Sequence, residues 1–283
     1  MTQYDTLIIG AGAAGLAAGR KLHDVGQSIL ILEARERIGG RIWTVDDFAD
    51  FPIEQGAELI HGEGAVTHHL IQVAGFHTLS APRKAFLQWG APTGSKRIAD
   101  LPAVLRTTIE ALLAAYGALP QRLAPGLDLS LADYLRSQGF AADAISMADV
   151  LLAQTCCASL ETLSCADLVR EMQVDHAGLA EFRPQEGYGA LLAHYSAGLP
   201  LQLSCPVQTI RWNAQGVTVV TAQAAFTARH CLLTVPVSLL QAGSITFDPP
   251  LDSAKQQAIA AFRMEPATKL FRSEEHTSEL QSQ

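Results

Sequence analysis

Gly10-Ala11-Gly12-Ala13-Ala14-Gly15 and Glu33 carry the first chemistry that can be read from this chain. Glycines at this spacing let backbone turn sharply and pass close to phosphate oxygens. A carboxylate about 20 residues further on can accept hydrogen bonds from ribose hydroxyls. Gly10 allows the tight turn, Gly12 the approach of backbone to a pyrophosphate, and Gly15 close packing of a helix on a strand. Ala13 and Ala14 begin that helix, whose free N–H groups and positive dipole end suit an anion. The chemistry is that of a dinucleotide cradle. A ligand-free strand–helix–strand unit is the bland alternative, and the surrounding elements weigh against it.

Those elements follow from periodicity. Tyr4-Asp5-Thr6-Leu7-Ile8-Ile9 is a short apolar run, Leu16 to Val25 has helical spacing, and Ser28-Ile29-Leu30-Ile31-Leu32 is a second apolar run ending on Glu33. Strand, turn, helix and parallel strand are the order a βαβ unit requires. The expected class is α/β. The fingerprint by itself does not separate one dinucleotide from another.

Arg37-Ile38-Gly39-Gly40-Arg41 follows Glu33 directly. It resembles the R-x-G-G-R extension of the flavin-containing amine oxidase family. The resemblance implies FAD as cofactor and a Rossmann-like FAD-binding domain built from discontinuous segments. An α+β, largely helical substrate domain would be inserted into it. Ala34, Arg35, Gly39 and Gly40 would pass beside the cofactor, and Arg41 would supply a cation near its pyrophosphate. A solvated basic turn is the plain alternative for Arg37 and Arg41.

Later segments are similar to the same family. Gly56-Ala57-Glu58-Leu59-Ile60-His61 matches the passage beside the flavin ring, where small residues are needed, with His61 expected near the substrate cavity. His61 could equally be a surface loop histidine. Glu54 and Glu58 could attract a substrate ammonium or cap the following helix. Gly187-Tyr188-Gly189 suits a turn opening a helix that returns the chain to the cofactor domain. Val207 matches the position whose backbone meets adenine, and Thr234-Val235-Pro236 the strand-to-loop passage beside the flavin. Lys269, after the Pro249-Pro250-Leu251 helix, matches the lysine that holds a water near flavin N5. Its ammonium is expected to be buried; the alternative is an edge-strand lysine.

The chain has 283 residues, 48% hydrophobic and 17% charged, enough for one large or two ordinary domains. A formal net charge of -8 argues against nucleic acid as a partner. The five cysteines are odd in number and lack metal-ligand spacing, which suits a reducing compartment. Cys156-Cys157, in an apolar stretch, reads as core. No metal site is expected. No apolar run spans a bilayer and no leader is recognisable, so a cytoplasmic location without membrane attachment is expected. Oligomeric state leaves no trace.

The expected segments are 1–80 for the first FAD-binding part and 81–198 for the mostly helical insertion. Residues 199–250 would form the second FAD-binding part, and 251–271 the start of a second substrate-domain part. Residues 81–97 suggest a hairpin, Ser130 a helix cap, and Ala141 to Cys157 and Leu163 to Val174 further helices. Residues 199–235 turn to period two, with a short strand Ala225 to Ala228 before His230 to Pro236. His176 and His194 read as isolated histidines without a catalytic cluster. Residues 272–283 depart from the strand pattern and resemble the in-frame translation of a sequencing adapter. They are therefore expected to be a non-native tail, leaving a chain shorter than family members and of uncertain activity.

The function implied by the resemblance is oxidation of an amine. Hydride would pass from the α-carbon to the flavin, the imine would be hydrolysed, and molecular oxygen would reoxidise the flavin to give hydrogen peroxide. Lys269 and His61 would be the catalytic residues. A carotenoid desaturase or porphyrinogen oxidase of the same superfamily, or a non-catalytic protein of the same fold, are the alternatives. Glu58 to Gly62 and Lys269 favour amines over the first two; the intact glycines and Glu33 disfavour the third.

Overall fold

A continuous apolar strand needs cover on both faces, and the first strand receives it. The computed structural model describes residues 3–81, 86–88, 95–153, 156–174, 176–178, 180–269 and 271. In it β1 (Gln3–Ile9) and β2 (Ile29–Leu32) run parallel, joined by α1 (Ala13–Asp24). Leu7, Ile9, Leu30 and Leu32 point to one face of the sheet, into a core with Val207, Ile210, Val217 and Val219. Ile8, Ile29 and Ile31 point to the other, against Leu16, Leu192 and Leu199. Burying each of these side chains contributes about 1.5–3 kcal/mol.

The sheet has seven strands. Its other members are β10 (Leu201–Gln202), β11 (Val207–Asn213), β12 (Gly216–Thr221), β13 (Ala225–Leu233) and β14 (Thr246–Asp248). The order is β10-β2-β1-β13-β12-β11-β14. The first four are mutually parallel, β13-β12-β11 is an antiparallel meander, and β14 pairs parallel with β11. The α/β expectation is met. One detail differs: the two strands expected between Ala225 and Pro236 are a single strand, because β12 pairs with its start from Ala225 and β1 with it from Thr227 to Leu233.

Smaller sheets flank this one. β3 (Thr44–Val45) pairs with β4 (Ile53–Glu54). β5 (Ile60–His61) and β6 (Thr78–Ser80), separated by α2 (Val66–Val73), both pair with β9 (Glu181–Pro184). β7 (Phe86–Gln88) and β8 (Ser95–Arg97) form the expected hairpin. Its Pro82, Gly90, Pro92 and Gly94 lie outside the described residues, as does the whole of 272–283.

The helical block comprises α3 (Ala103–Gly117), α4 (Leu119–Arg122), α5 (Leu131–Ser137), α6 (Ala142–Ala148) and α7 (Cys165–Val174). Its core holds Leu112, Leu119, Leu131, Leu135 and Leu168, with Tyr134 donating to the Ala115 carbonyl at 3.1 Å. Ser130 caps α5 as expected, accepting from the Asp133 N–H at 3.0 Å. The helix expected over Ala141 to Cys157 is shorter. α6 passes into a π-helical turn at Asp149–Ala153, and Cys156 and Cys157 are exposed, Cys157 with φ of 51°. This pair therefore lies at the surface instead of in the core. Burial pushes the Cys165 and Cys231 thiols up to about 11, so neither is a thiolate at neutral pH.

α8 (Gly187–Ser196) follows β9 and returns the chain to the main sheet, where Leu192 packs beside Leu16. α9 (Val237–Gln241) and α10 (Ser253–Ala261) flank β14. Among the described residues no helix is long and apolar enough to cross a membrane, and no cluster of three His, Cys, Asp or Glu could hold a metal.

Candidate active site

Strand register brings the first site residues together. Ile9 is level with Leu32 on one side and Leu233 on the other. Gly10, Glu33 and Thr234 are therefore neighbours at the carboxyl ends of three parallel strands, where open α/β sheets bind ligands. The Gly10 N–H donates to the Leu32 carbonyl at 2.8 Å and that of Thr234 to Ile9 at 2.9 Å. The Thr234 hydroxyl lies 2.9 and 3.1 Å from the carbonyl oxygens of Ile9 and Gly10, fastening β13 to the turn.

Gly12 is the N-cap of α1 and provides no side-chain cap; Ala13 and Ala14 are exposed. Helix N–H groups without a capping side chain are available to an anion. The Glu33 carboxylate is only 7% exposed and accepts from the N–H of Ala11 at 2.7 Å and of Arg35 at 2.9 Å. A carboxylate has about four acceptor positions, so two remain for hydroxyl donors. The Ser204 and Cys205 N–H groups donate to the carbonyls of Arg35 and Glu33, each at 2.8 Å, which brings the buried Val207 to the same side. Ala34 is exposed beside Glu33.

The Arg37-to-Arg41 turn closes over α1. Gly39 donates to the Ala11 carbonyl at 2.8 Å, and a Cβ on Gly40 would lie 3.4 Å from the Gly12 Cα. The Arg37 guanidinium donates to the carbonyls of Ile38, Gly40 and Ile42, each at 3.0 Å, and lies 4.8 Å over the Trp43 ring. Arg37 is thus a scaffold for the turn and not a solvated basic residue, while Arg41 is exposed.

A second strip adjoins this turn. The Ala57 N–H donates to the Arg41 carbonyl at 3.1 Å, and a Cβ on Gly56 would stand 1.9 Å from that same oxygen. Gly56 must therefore be small because backbone passes it, whatever ring lies beyond. Lys269 reaches this strip from the far end of the chain. Its Nζ donates to the Glu54 carbonyl and to Glu58 Oε2, both at 3.0 Å. Its side chain is 36% exposed, so the expected burial is realised only in part; Lys269 lies in a stretch without helix or strand. It lines a cavity of about 320 Å³ with Trp43, Phe48, Ile53, Gln55 and Phe271.

Neither acidic residue stands unpartnered. Glu58 pairs with Lys269 and, at 2.8 Å, with Arg183. The Glu54 carboxylate is buried; it accepts from the Tyr188 N–H at 2.6 Å and from the Thr44 hydroxyl at 2.9 Å. Thr44 Oγ1 in turn accepts from the Gly189 N–H at 2.7 Å. Glu54 and Thr44 thus cap α8, a remote helix, and not the helix that follows them in sequence. Burial pushes the Glu54 carboxyl above the usual glutamate range; the Tyr188, Thr44 and Lys269 contacts oppose the shift without cancelling it. Its folded pKa exceeds its unfolded one, so stability falls as pH rises from about 4.3 through the raised folded value. Glu54→Gln keeps an acceptor for Tyr188 and removes the titration. It is expected to gain in melting temperature relative to the wild-type chain as pH rises across that window; a constant difference would sink this assignment.

His61 is elsewhere. Its side chain is 66% exposed, its Nδ1 lies 3.6 Å from Glu181, and it does not line the Lys269 cavity. Pro236 is the N-cap of α9, two residues past Thr234. His194 packs edge-on against Phe76. Sequence reading passed over Thr44 and Arg183. Thr44 meets Gly189 and Arg183 meets Glu58 across more than a hundred residues, and no local pattern announces these contacts.

Comparison with known proteins gives the same picture. A family model described as flavin containing amine oxidoreductase matches residues 13–276. The chain is 29% identical to human lysine-specific histone demethylase 2 over 272 residues, covering 89% of this chain and 32% of the relative. It is 28% identical to polyamine oxidase 4 of Oryza sativa subsp. japonica over 283 residues, covering 90% of this chain and 55% of the relative. The chain thus spans from about a third to just over half of these relatives. Among solved structures, putrescine oxidase bound to putrescine superposes with a TM-score of 0.73 at 24% identity, covering 92% of this chain and 63% of that one. Cyclohexylamine oxidase from Brevibacterium oxydans gives 0.72 at 23% identity, with the same coverage. At these identities the likeness is one of fold.

Proposed function

The chain belongs to the flavin-containing amine oxidoreductase family, and on that premise we propose that it oxidises an amine at its carbon–nitrogen bond, with molecular oxygen as acceptor and hydrogen peroxide as product. FAD is the family's cofactor. When bound it supplies the two-electron chemistry that converts an amine to an imine.

The cradle fits such a group. The uncapped N-terminus of α1 and the turn at Gly39 and Gly40 suit its pyrophosphate; the two remaining acceptor positions of Glu33 suit a ribose. Arg41 adds an exposed cation beside them. Lys269 is the residue of this chain best placed to orient a water. An ammonium has three N–H donors, and the Glu54 carbonyl and Glu58 use two. The third is left for a cavity water, which can take part in imine hydrolysis or in proton supply to reduced oxygen. Trp43, Phe48 and Phe271 give the cavity the apolar walls that hold an amine in its neutral form.

The observation that carries the reading is this lysine, hydrogen-bonded beside the Gly56-Ala57 strip and adjoining the dinucleotide cradle. The purified chain is expected to be yellow and to release peroxide with at least one member of a panel of monoamines, diamines, polyamines and an N-methylated lysine peptide. A preparation that takes up FAD but neither bleaches anaerobically nor releases peroxide with any of them would defeat it.

A further inference from the structure

We propose that Glu58 is a positioning residue: by dividing its carboxylate between Lys269 and Arg183, it determines where the Lys269 ammonium stands in the cavity. Lys269 lies in a stretch with no helix or strand, and four rotatable carbons separate its charge from the backbone. Backbone geometry alone therefore leaves its Nζ unplaced. Two acceptors place it, the Glu54 carbonyl and Glu58 Oε2, both at 3.0 Å. The other carboxylate oxygen, Glu58 Oε1, is 2.8 Å from Arg183 Nη2 on β9. One anion thus holds two cations from segments far apart in sequence.

The sharing has consequences. Glu58 is already matched by protein cations, so it does not serve as the counter-ion of a protonated substrate amine. Its removal would leave Lys269 and Arg183 close together without the anion between them, and Lys269 would swing towards water. The three side chains are 29%, 36% and 54% exposed, and ion pairs this open contribute little to stability. The role is geometric. Its bearing on turnover rests on the reading of Lys269 given above; the pairing itself does not.

The test uses the whole chain and two readouts. In the FAD-free chain, partial acetylation followed by peptide mass spectrometry reports how shielded Lys269 is, with Lys255 on α10 as internal reference. Glu58→Gln is expected to raise the Lys269 to Lys255 labelling ratio about two- to fivefold, the range of a partly exposed charged pair. Glu58→Asp should restore most of the shielding. Arg183→Gln frees Glu58 for Lys269 alone and should lower the ratio; a merely structural role would move both variants the same way. The melting temperature of Glu58→Gln should stay within about 2 °C of the wild-type value. In the FAD-loaded chain, chemically reduced flavin mixed with oxygenated buffer should recover its absorbance more slowly in Glu58→Gln, with no additional slowing when Lys269→Met is already present. An unchanged labelling ratio overturns the proposal. A changed ratio with Lys269→Met reoxidising normally upholds the positioning role and defeats the reading of Lys269.

Discussion

Gly15→Ala is expected to collapse the nucleotide cradle. A Cβ at Gly15 would stand 1.9 Å from the Gly10 carbonyl oxygen, 3.1 Å from its carbon and 2.9 Å from Thr234 Oγ1. The first two are main-chain atoms, so no rotamer change relieves the clash; α1 must move away from β1. The Gly10 oxygen also lies within reach of the Thr234 hydroxyl, so the shift spreads to β13. Insertion of a methyl into packed backbone costs about 1–3 kcal/mol and occasionally more, and this site belongs at or beyond the upper end. The displaced helix N-terminus would also lose its aim at a phosphate. A fall in melting temperature together with loss of bound FAD after gel filtration is the expected pair of results. Gly117→Ala is the matched control. Gly117 closes α3, has nothing within 4 Å of an added Cβ, and should be neutral or slightly stabilising. A Gly15→Ala protein that melts normally and keeps its flavin would show that the turn has more room than its register allows.

Lys269→Met should be the most damaging single change to reactivity that leaves the cradle standing. Methionine keeps the stem and removes the charge and all three donors, leaving Glu58 with Arg183 alone. Removing one preorganised donor from a reacting centre costs about 100- to 1,000-fold in rate. The site is partly exposed, so the lower figure is expected: about 100-fold slower return of flavin absorbance after anaerobic reduction and exposure to oxygen. FAD content should not change, because the glycine turn, Glu33 and Thr234 lie on other segments. Lys269→Arg should recover little, since a planar guanidinium cannot present its donors as an ammonium does. A Lys269→Met chain that reoxidises within about threefold of the wild-type rate, too small a change for a lost reaction-centre donor, would remove this residue from the mechanism.

These expectations rest on parts of the molecule that were unequally legible. The stretch to Arg41 could be read directly, because its strand, turn, helix and second strand are contiguous. Period-two and period-3.6 patterns and the glycine spacing are local properties of a chain. The Ser130 cap and the β11–β12 hairpin around Asn213 to Gly216 were readable for the same reason. Boundaries were weaker. The helix expected through Cys157 passes into a π-helical turn at Asp149–Ala153, and β13 is one strand because β12 pairs with its start and β1 with Thr227 to Leu233.

The roles of individual side chains were another matter. Glu54 could be read as attracting an ammonium or as capping the helix after it, and it is a buried cap on the distant α8; Arg37 could be placed in the turn, but the three carbonyls it holds there could not be read. Gly56 looked like a platform for a flat ring, yet what demands a glycine there is the Arg41 carbonyl. His61 carries the right chemistry, but β5 presents it to Glu181 and solvent.

By itself, then, the sequence determined the kind of cofactor cradle and the elements that build it, since both depend on neighbours within a few dozen residues. Tertiary structure alone decided which charges meet. Glu58 finds Lys269 211 positions away, and Thr234 finds Gly10 across 224. Such contacts are set by strand order and by packing of α8 on α1, and hydrogen bonds between distant residues leave no periodic mark on the chain that forms them.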